Sequence, residues 1–336
     1  MKNNLRIFLK KPTLIPFALL NLVRDALMQP DRILKESRLP LSEPKGTWTS
    51  AKSLPSWRYE FGGAKVGDEI YLVGGLVLPT VYTITRRVEA YRCSTDSWHT
   101  VPSYPVIIHH PSVVCLGDTL YVVGGNGMRI TPYSYVFAYD SKGNRWIRKA
   151  DMPTPRGALG AVVLDDLIYA VGGGTNKVAR RELEVYDPQK NTWKKLASMP
   201  TPREHLAAAV AGGHIFALGG YKTSLAECST ANEAYNPKTN KWEKRAPMPL
   251  PVAGFAAVGL GDSVFIFGGE QGWSVSAEVH EYKVKEDKWY RRADMPVGRY
   301  ASAAVSDGTK IHVFGGNYEL HGYIYSMDHD IFTPGT

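Results

Sequence analysis

The chain has 336 residues, of which 44% are hydrophobic and 21% are charged, with 32 Gly and 22 Pro. This size and apolar fraction predict one large globular domain or two small ones and exclude a disordered chain, a collagen and a small disulfide-stapled protein. The formal net charge is +8, but residues 1–46 carry nine bases and four acids, so the remaining 290 residues are nearly neutral. We therefore predict no nucleic-acid partner, because such a partner requires a strongly basic surface.

The first segment, residues 1–46, is basic and amphipathic. Its apolar run from Leu14 to Val23 is shorter than the roughly 20 residues of a membrane span. A helix from Pro16 onward would carry a broad apolar face and a narrow polar face. Three interpretations stay open: a helix packed on the rest of the protein or on a partner, a peripheral membrane anchor, and an atypical secretion signal. We predict a cytoplasmic protein, with membrane association and secretion as the alternatives.

The rest of the chain is repetitive. An apolar run ending in Gly-Gly occurs six times at intervals of 47–50 residues, and its first glycines are Gly74, Gly124, Gly172, Gly219, Gly268 and Gly315. After each of the first five pairs, a tyrosine stands seven residues before a tryptophan, in the pairs Tyr91–Trp98, Tyr139–Trp146, Tyr186–Trp193, Tyr235–Trp242 and Tyr282–Trp289. The interval from tyrosine to tryptophan is constant, whereas the interval from Gly-Gly to tyrosine varies. Insertions are therefore confined to one loop per repeat.

Each repeat predicts four short strands. In the third repeat they cover residues 157–164, 167–171, 182–186 and 192–196, and Asp, Asn and Pro mark the turns between them. One antiparallel sheet of this kind cannot bury both of its faces, whereas a ring of such sheets can. We therefore predict an all-β fold, a six-bladed β-propeller of four-stranded antiparallel blades, with the tyrosines and tryptophans packed between blades.

These markers resemble a known repeat. The order Gly-Gly, Tyr and Trp, with Met-Pro before the next repeat (Met152-Pro153, Met199-Pro200, Met248-Pro249 and Met295-Pro296), is similar to the kelch repeat over residues 47–336. The resemblance implies a kelch β-propeller at residues 47–336. The amphipathic pattern of residues 1–46 predicts a separate, helical segment before it. It also implies a protein or peptide partner, since members of this family often act as interaction domains.

Closure of the ring is predicted from what the last repeat lacks. Trp48 lies 50 residues before Trp98 and follows no Gly-Gly pair, whereas the last repeat has a third strand predicted near Tyr323–Met327 and no tryptophan. We therefore expect the strand around Trp48 to be the fourth strand of the last blade. Phe332, seven residues after Tyr325, indicates a C-terminal strand in that place as the alternative.

A repeated arginine marks the start of the innermost strands. The position sixteen residues before the first glycine is arginine in four of six repeats: Arg58, Arg156, Arg203 and Arg299. Guanidinium groups match the geometry of carboxylates, so four of them around the mouth of the central channel predict a pocket for an acidic small ligand or an acidic protein segment. The alternative is that they donate hydrogen bonds to loop carbonyls.

Two further sets of residues are candidates for ligand binding. His109 and His110 follow Ile108, which replaces the arginine in the second repeat. Since neighbouring residues of a strand point to opposite faces, we expect one of them to face the channel. Trp273, in the loop after the fifth Gly-Gly pair, is predicted to bind because its repeat already has a blade tryptophan. The three cysteines form no CxxC pair, and no compatible set of His and carboxylate ligands is evident, so we predict no metal site.

Two classes of function compete. The first is a non-catalytic, monomeric interaction module, without cofactor, that binds a protein or peptide with acidic residues at the Arg-rimmed mouth and the loops after Gly-Gly. The alternative follows from the resemblance, because kelch propellers also include sialic-acid mutarotases and copper-dependent galactose oxidases. A mutarotase would use Glu204 or His205 beside Arg203 as its acid or base. The copper-oxidase pattern of two Tyr, two His and a cross-linked Cys has no counterpart in the sequence.

Overall fold

Six four-stranded antiparallel sheets form the fold in the computed structural model, which describes residues 45–77, 83–175, 178–272, 274–319 and 324–335. The predicted helical segment lies almost entirely outside these residues, so its boundary at residue 46 stays a prediction. Each inner strand contacts the inner strand of the next sheet, and that of the sixth contacts that of the first. The predicted six-bladed β-propeller is confirmed.

The strands follow the repeat. The innermost strands of blades one to six are Gly62–Val66, Ser112–Leu116, Gly160–Leu164, Ala207–Ala211, Ala256–Leu260 and Ala303–Ser306. The second strands, which lead into the Gly-Gly pairs, are Glu69–Val73, Thr119–Val123, Leu167–Val171, His214–Leu218, Ser263–Phe267 and Ile311–Phe314. The third strands are Val88–Arg92, Val136–Asp140, Leu183–Asp187, Asn232–Asn236, Val279–Lys283 and His329–Thr333. The fourth strands are Ser97–Val101, Arg145–Arg148, Thr192–Lys195, Lys241–Lys244, Lys288–Arg292 and Thr47–Ser50.

Smaller elements lie in the connections. Two-residue strands are Arg58–Tyr59, Leu76–Val77, Thr83–Ile84, Gly174–Thr175, Val178–Ala179, Glu270–Gln271 and Ser274–Val275. Single turns of 3-10 helix are Cys93–Thr95, Met128–Ile130 and Leu225–Glu227. Within the described ranges, no helix has the length and apolar character needed to cross a membrane.

The sixth blade contains both ends of the described chain. Strand Thr47–Ser50 is its outermost strand and pairs with His329–Thr333, which sets Trp48 opposite Phe332. The third strand predicted near Tyr323–Met327 was therefore placed too early. Phe332 belongs to the third strand and not to a fourth one, because it occupies the position that a tyrosine holds in the other five blades.

The tyrosines and tryptophans join neighbouring blades. Strand register sets each tyrosine opposite the tryptophan seven residues later, as in Tyr186 and Trp193. Every one of these tryptophans, Trp48 included, donates its indole N–H to a backbone carbonyl just after the fourth strand of the preceding blade, as Trp193 does to Ala150 at 2.9 Å. The core accordingly lies between blades, in clusters such as that of Val122 and Tyr139 from the second blade with Val73 from the first.

Candidate functional site

A ring of backbone hydrogen bonds surrounds the central axis. Six residues, one from each blade, have left-handed φ angles of +50° to +58°: Glu60, His110, Ala158, His205, Gly254 and Ala301. Each donates its backbone N–H to the carbonyl of the equivalent residue in the preceding blade, over 2.6–3.2 Å, and Glu60 closes the circle by donating to Ala301. Five of the six are not glycine, although a residue with a Cβ atom is strained in this conformation. The ring of hydrogen bonds holds these residues in place and thereby fixes which side chains enter the channel.

Two connected cavities lie at this ring. The central channel has a volume of about 140 Å³, and all six ring residues line it. A larger cavity of about 630 Å³ shares Glu60, His110 and His205 with the channel and extends to the loops after Gly-Gly. Met128 and Arg129 form part of its wall and are exposed, so this cavity opens to solvent. We call it the mouth cavity.

The four arginines do not line the mouth cavity. Their side chains are fully buried, and each forms an ion pair with a carboxylate inside its own blade: Arg58 with Glu89, Arg156 with Glu184, Arg203 with Glu233, and Arg299 with Asp328 and Asp330. Each guanidinium also donates to at least one backbone carbonyl. The expectation of an arginine-rimmed anion pocket is therefore wrong. The alternative, hydrogen bonds to loop carbonyls, holds for Arg156 and Arg203, whereas Arg58 and Arg299 donate to carbonyls of the second strands.

A signal for this pairing was present in the sequence. The acidic partner stands two residues before the blade tyrosine or its equivalent, as Glu184 stands before Tyr186, in all four blades that have the arginine. In the second blade the corresponding residues are Ile108 and Phe137, which pack in one apolar cluster. Arginine and acid therefore occur together or are absent together, as expected for partners that must neutralise each other when buried.

His109 and His110 both reach the mouth cavity. The Nδ1 atoms of the two rings are 2.6 Å apart and lie 3.2 Å and 3.1 Å from Oε2 of Glu60. Only His110 lines the central channel, which agrees with the expectation that one of the two faces it. Both line the mouth cavity, because the left-handed backbone of His110 breaks the alternation of an extended strand. Three potential metal ligands therefore converge, although no compatible set was expected. Glu60 comes from a different repeat, about one period away.

Two more carboxyl groups lie at the cavities, and sequence reasoning missed one of them. Glu204 lines the mouth cavity and Glu270 lines the channel. Glu270 directly follows Gly-Gly in the fifth repeat. The backbone of this residue pairs with that of Ala253, which precedes the ring residue Gly254. This position was the signal available in the sequence. Trp273, the other predicted binding residue, lies outside the described residues.

Family models agree with this architecture. The KLHDC2/KLHL20/DRC7 Kelch-repeats domain matches residues 61–269, more than half of the chain, and the Kelch motif matches residues 251–296. The chain belongs to the kelch-repeat family. The resemblance seen in the sequence is thereby confirmed.

Individual proteins similar to this kelch propeller match it over part of its length. Kelch-like protein terF of Aspergillus terreus is 30% identical over 138 residues, which are 38% of this chain and 30% of that protein. Kelch repeat and BTB domain-containing protein 12 of Danio rerio is 28% identical over 144 residues, 39% of this chain and 22% of that protein. The matched regions thus span less than a third of these relatives. The structure of YjhT has the same fold, with a TM-score of 0.72 at 18% identity, over 84% of this chain and 96% of YjhT.

The electrostatics of this kelch site differ from the cationic mouth first expected. Burial raises the pKa of Glu204, and burial together with the nearby Glu60 carboxylate raises the pKa of Glu270 to about 8. Among the described residues, neither carboxyl group forms an ion pair or a side-chain hydrogen bond. The site therefore offers acceptors for a ligand that brings positive charge or N–H donors.

Proposed function

We propose that this kelch propeller is an interaction module that binds a segment of a partner protein in the mouth cavity, with a lysine or arginine of that segment pairing with Glu204 and Glu270. The observation that carries the proposal is that two carboxyl groups have no basic partner among the described residues, Glu204 at the solvent-open mouth cavity and Glu270 at the adjoining channel. Buried carboxylates are stable when a cation pairs with them, so a cationic side chain would supply the missing partner.

The apolar part of the cavity wall favours a protein segment as the ligand. Leu76, Ile84, Met128 and Ile130 line the mouth cavity, and the exposed fractions of Met128 and Ile130 are 65% and 56%. Exposed apolar side chains beside a few polar groups are typical of surfaces that bind another protein. Membership in a family whose proteins often act as interaction domains supports the same class of function.

A peptide selection tests this proposal. The full chain would be presented with a phage library of random dodecapeptides, and the enriched peptides would be titrated against wild type and a Glu204→Gln/Glu270→Gln variant. Because a hydrogen bond to a charged group contributes about 1.5–3 kcal/mol, we expect at least a tenfold loss of affinity in the variant. Glu243→Gln, on the exposed fourth strand of the fourth blade, is the matched control. Enrichment of acidic peptides, or equal binding by the variant, would contradict the proposal.

A carbohydrate-processing enzyme is the second candidate function. It is favoured by the raised pKa values of Glu204 and Glu270 at adjoining cavities. With a pKa of about 8, Glu270 holds its proton near neutral pH, and such a carboxyl group is suited to acid–base catalysis. The carboxylate-binding role expected of Arg203 is absent, because its guanidinium is buried against Glu233. Measuring the rate of sialic-acid mutarotation by NMR tests this candidate, and an acceleration by wild type that is lost in Glu204→Gln would favour it.

A further inference from the structure

The group formed by Glu60, His109 and His110, here called the histidine–carboxylate triad, has a geometry that the propeller fold alone does not require. Its three facing atoms are Oε2 of Glu60 and the two Nδ1 atoms, with separations of 2.6, 3.1 and 3.2 Å. His109 is 6% exposed, and Glu60 and His110 are partly buried. Atoms this close, all of which carry lone pairs, need protons or a cation between them.

Each of the two rings has a polar partner on its far side. Nε2 of His109 faces the carbonyl oxygen of Gly127 at 3.3 Å, and in the neutral tautomer that donates this hydrogen bond, Nδ1 is a lone pair directed at Glu60. Nε2 of His110 faces Nε2 of His205 at 3.0 Å, and a proton donated there leaves Nδ1 of His110 free as well. Metal-binding histidines show this arrangement, in which the second ring nitrogen donates to a carbonyl or another acceptor.

The spacing of the three atoms suits one metal ion. An ion bonded at about 2.0–2.2 Å, with bond angles between octahedral and tetrahedral values, holds its ligand atoms about 2.8–3.6 Å apart. Two of the three observed separations fall within that range, and the third, 2.6 Å between the Nδ1 atoms, is slightly shorter. Two imidazoles and one carboxylate form a donor set that zinc accepts, whereas calcium and magnesium prefer oxygen ligands.

We propose that Glu60, His109 and His110 bind one divalent transition-metal ion, with Zn²⁺ as the best match to the donor set, and that the ion faces the mouth cavity. All three residues line that cavity. With three protein ligands, the ion keeps a coordination position for water or for a donor atom of a bound molecule. The inference does not rest on the proposed function, because the triad comes from the first and second blades and Glu204 and Glu270 come from the fourth and fifth.

Zinc titration of the full chain tests the proposal. The protein would be purified without a tag, stripped with a chelator and titrated with ZnCl₂ by calorimetry. We expect one Zn²⁺ per chain in wild type. His110→Asn should weaken binding by about 100-fold or more, since even loss of an outer hydrogen-bond partner of a ligand costs about 10- to 100-fold. Asparagine tolerates the left-handed backbone at this position, so the variant should keep the fold.

Two further comparisons make the result specific. His205→Gln should weaken binding by about 10- to 100-fold, because it changes the group that orients His110 without removing a ligand. His214→Asn, which replaces a half-buried histidine at the start of a second strand that does not line the mouth cavity, should bind like wild type. X-ray absorption of the wild-type zinc complex supplies a measurement that needs no variant, and we expect two imidazole ligands and no sulfur ligand. No stoichiometric binding, equal binding by His110→Asn, or a zinc–sulfur shell would overturn the proposal.

Discussion

The buried pair of Arg156 and Glu184 gives the most direct test of how the blades are held together. Both side chains are fully buried, and Nη2 of Arg156 lies 2.9 Å from Oε2 of Glu184. The guanidinium also donates to three backbone carbonyls. Arg156→Met removes the cation and leaves the carboxylate with the Thr154 hydroxyl as its hydrogen-bond donor. Breaking one half of a buried ion pair costs about 3–5 kcal/mol, and we expect a loss of this size in the free energy of unfolding.

The second blade supplies the matched control. Its Ile108 and Phe137 occupy the positions of the arginine and the acid, and both are buried in the same apolar cluster. Replacing a buried ion pair by apolar residues is often neutral or stabilising. We therefore expect the Arg156→Ile/Glu184→Phe variant to be within about 1 kcal/mol of wild type, and thus more stable than the single variant.

Equilibrium unfolding in urea, followed by tryptophan fluorescence, measures these free energies. The reasoning would be refuted if Arg156→Met lost less than about 1 kcal/mol, which is the effect of changing an exposed side chain. It would also be refuted if the double variant were as unstable as the single one. In that case, the charge left without a partner would not be the source of the destabilisation.

The remaining predictions concern a blade tryptophan and a buried histidine. Trp193→Ala should lower the free energy of unfolding by about 3–5 kcal/mol, because it opens a cavity between blades and removes the bond to Ala150; a loss below about 1 kcal/mol in the same urea assay would contradict the packing role. His280 is buried, and burial lowers its pKa from 6.5 to about 3. As the pH falls below 6.5, the unfolded chain therefore gains a proton that the native state does not, and wild type loses stability until about pH 3. His280→Phe should remove up to about 1.4 kcal/mol per pH unit from that loss, and equal pH slopes for the two proteins would count against it.

The architecture could be predicted because its markers are local. The tyrosine and the tryptophan of one blade are seven residues apart, so a single hairpin sets them opposite each other, as Tyr186 and Trp193 show. Six Gly-Gly pairs then count the blades. The last blade was harder, because Phe332 replaces the tyrosine and Trp48 comes from the other end of the described chain.

The direction of the arginine side chains could not be predicted from their positions alone. Arg156 lies just before an innermost strand, as expected, but its guanidinium turns into the blade, where Glu184 and the carbonyls compensate its charge. The two residues are 28 positions apart, with Arg156 before the first strand of the blade and Glu184 on its third strand. The joint occurrence of arginine and acid in four repeats was visible in the sequence. The prediction nevertheless placed the guanidinium groups at the mouth of the channel, because it used only the position of each arginine before its strand.

The sequence by itself determined the repeat, the number of blades and the aromatic contacts between them, because each depends on spacing within about one period. Only the tertiary structure decided which side chains meet at the axis. There, a closed ring of backbone hydrogen bonds holds Glu60, His110 and His205 in left-handed conformations. Residues from three different blades thus come together, and strand alternation does not apply to them. Spacing along the sequence does not show which residues of distant repeats meet in space, so the candidate site could be recognised only in the folded structure.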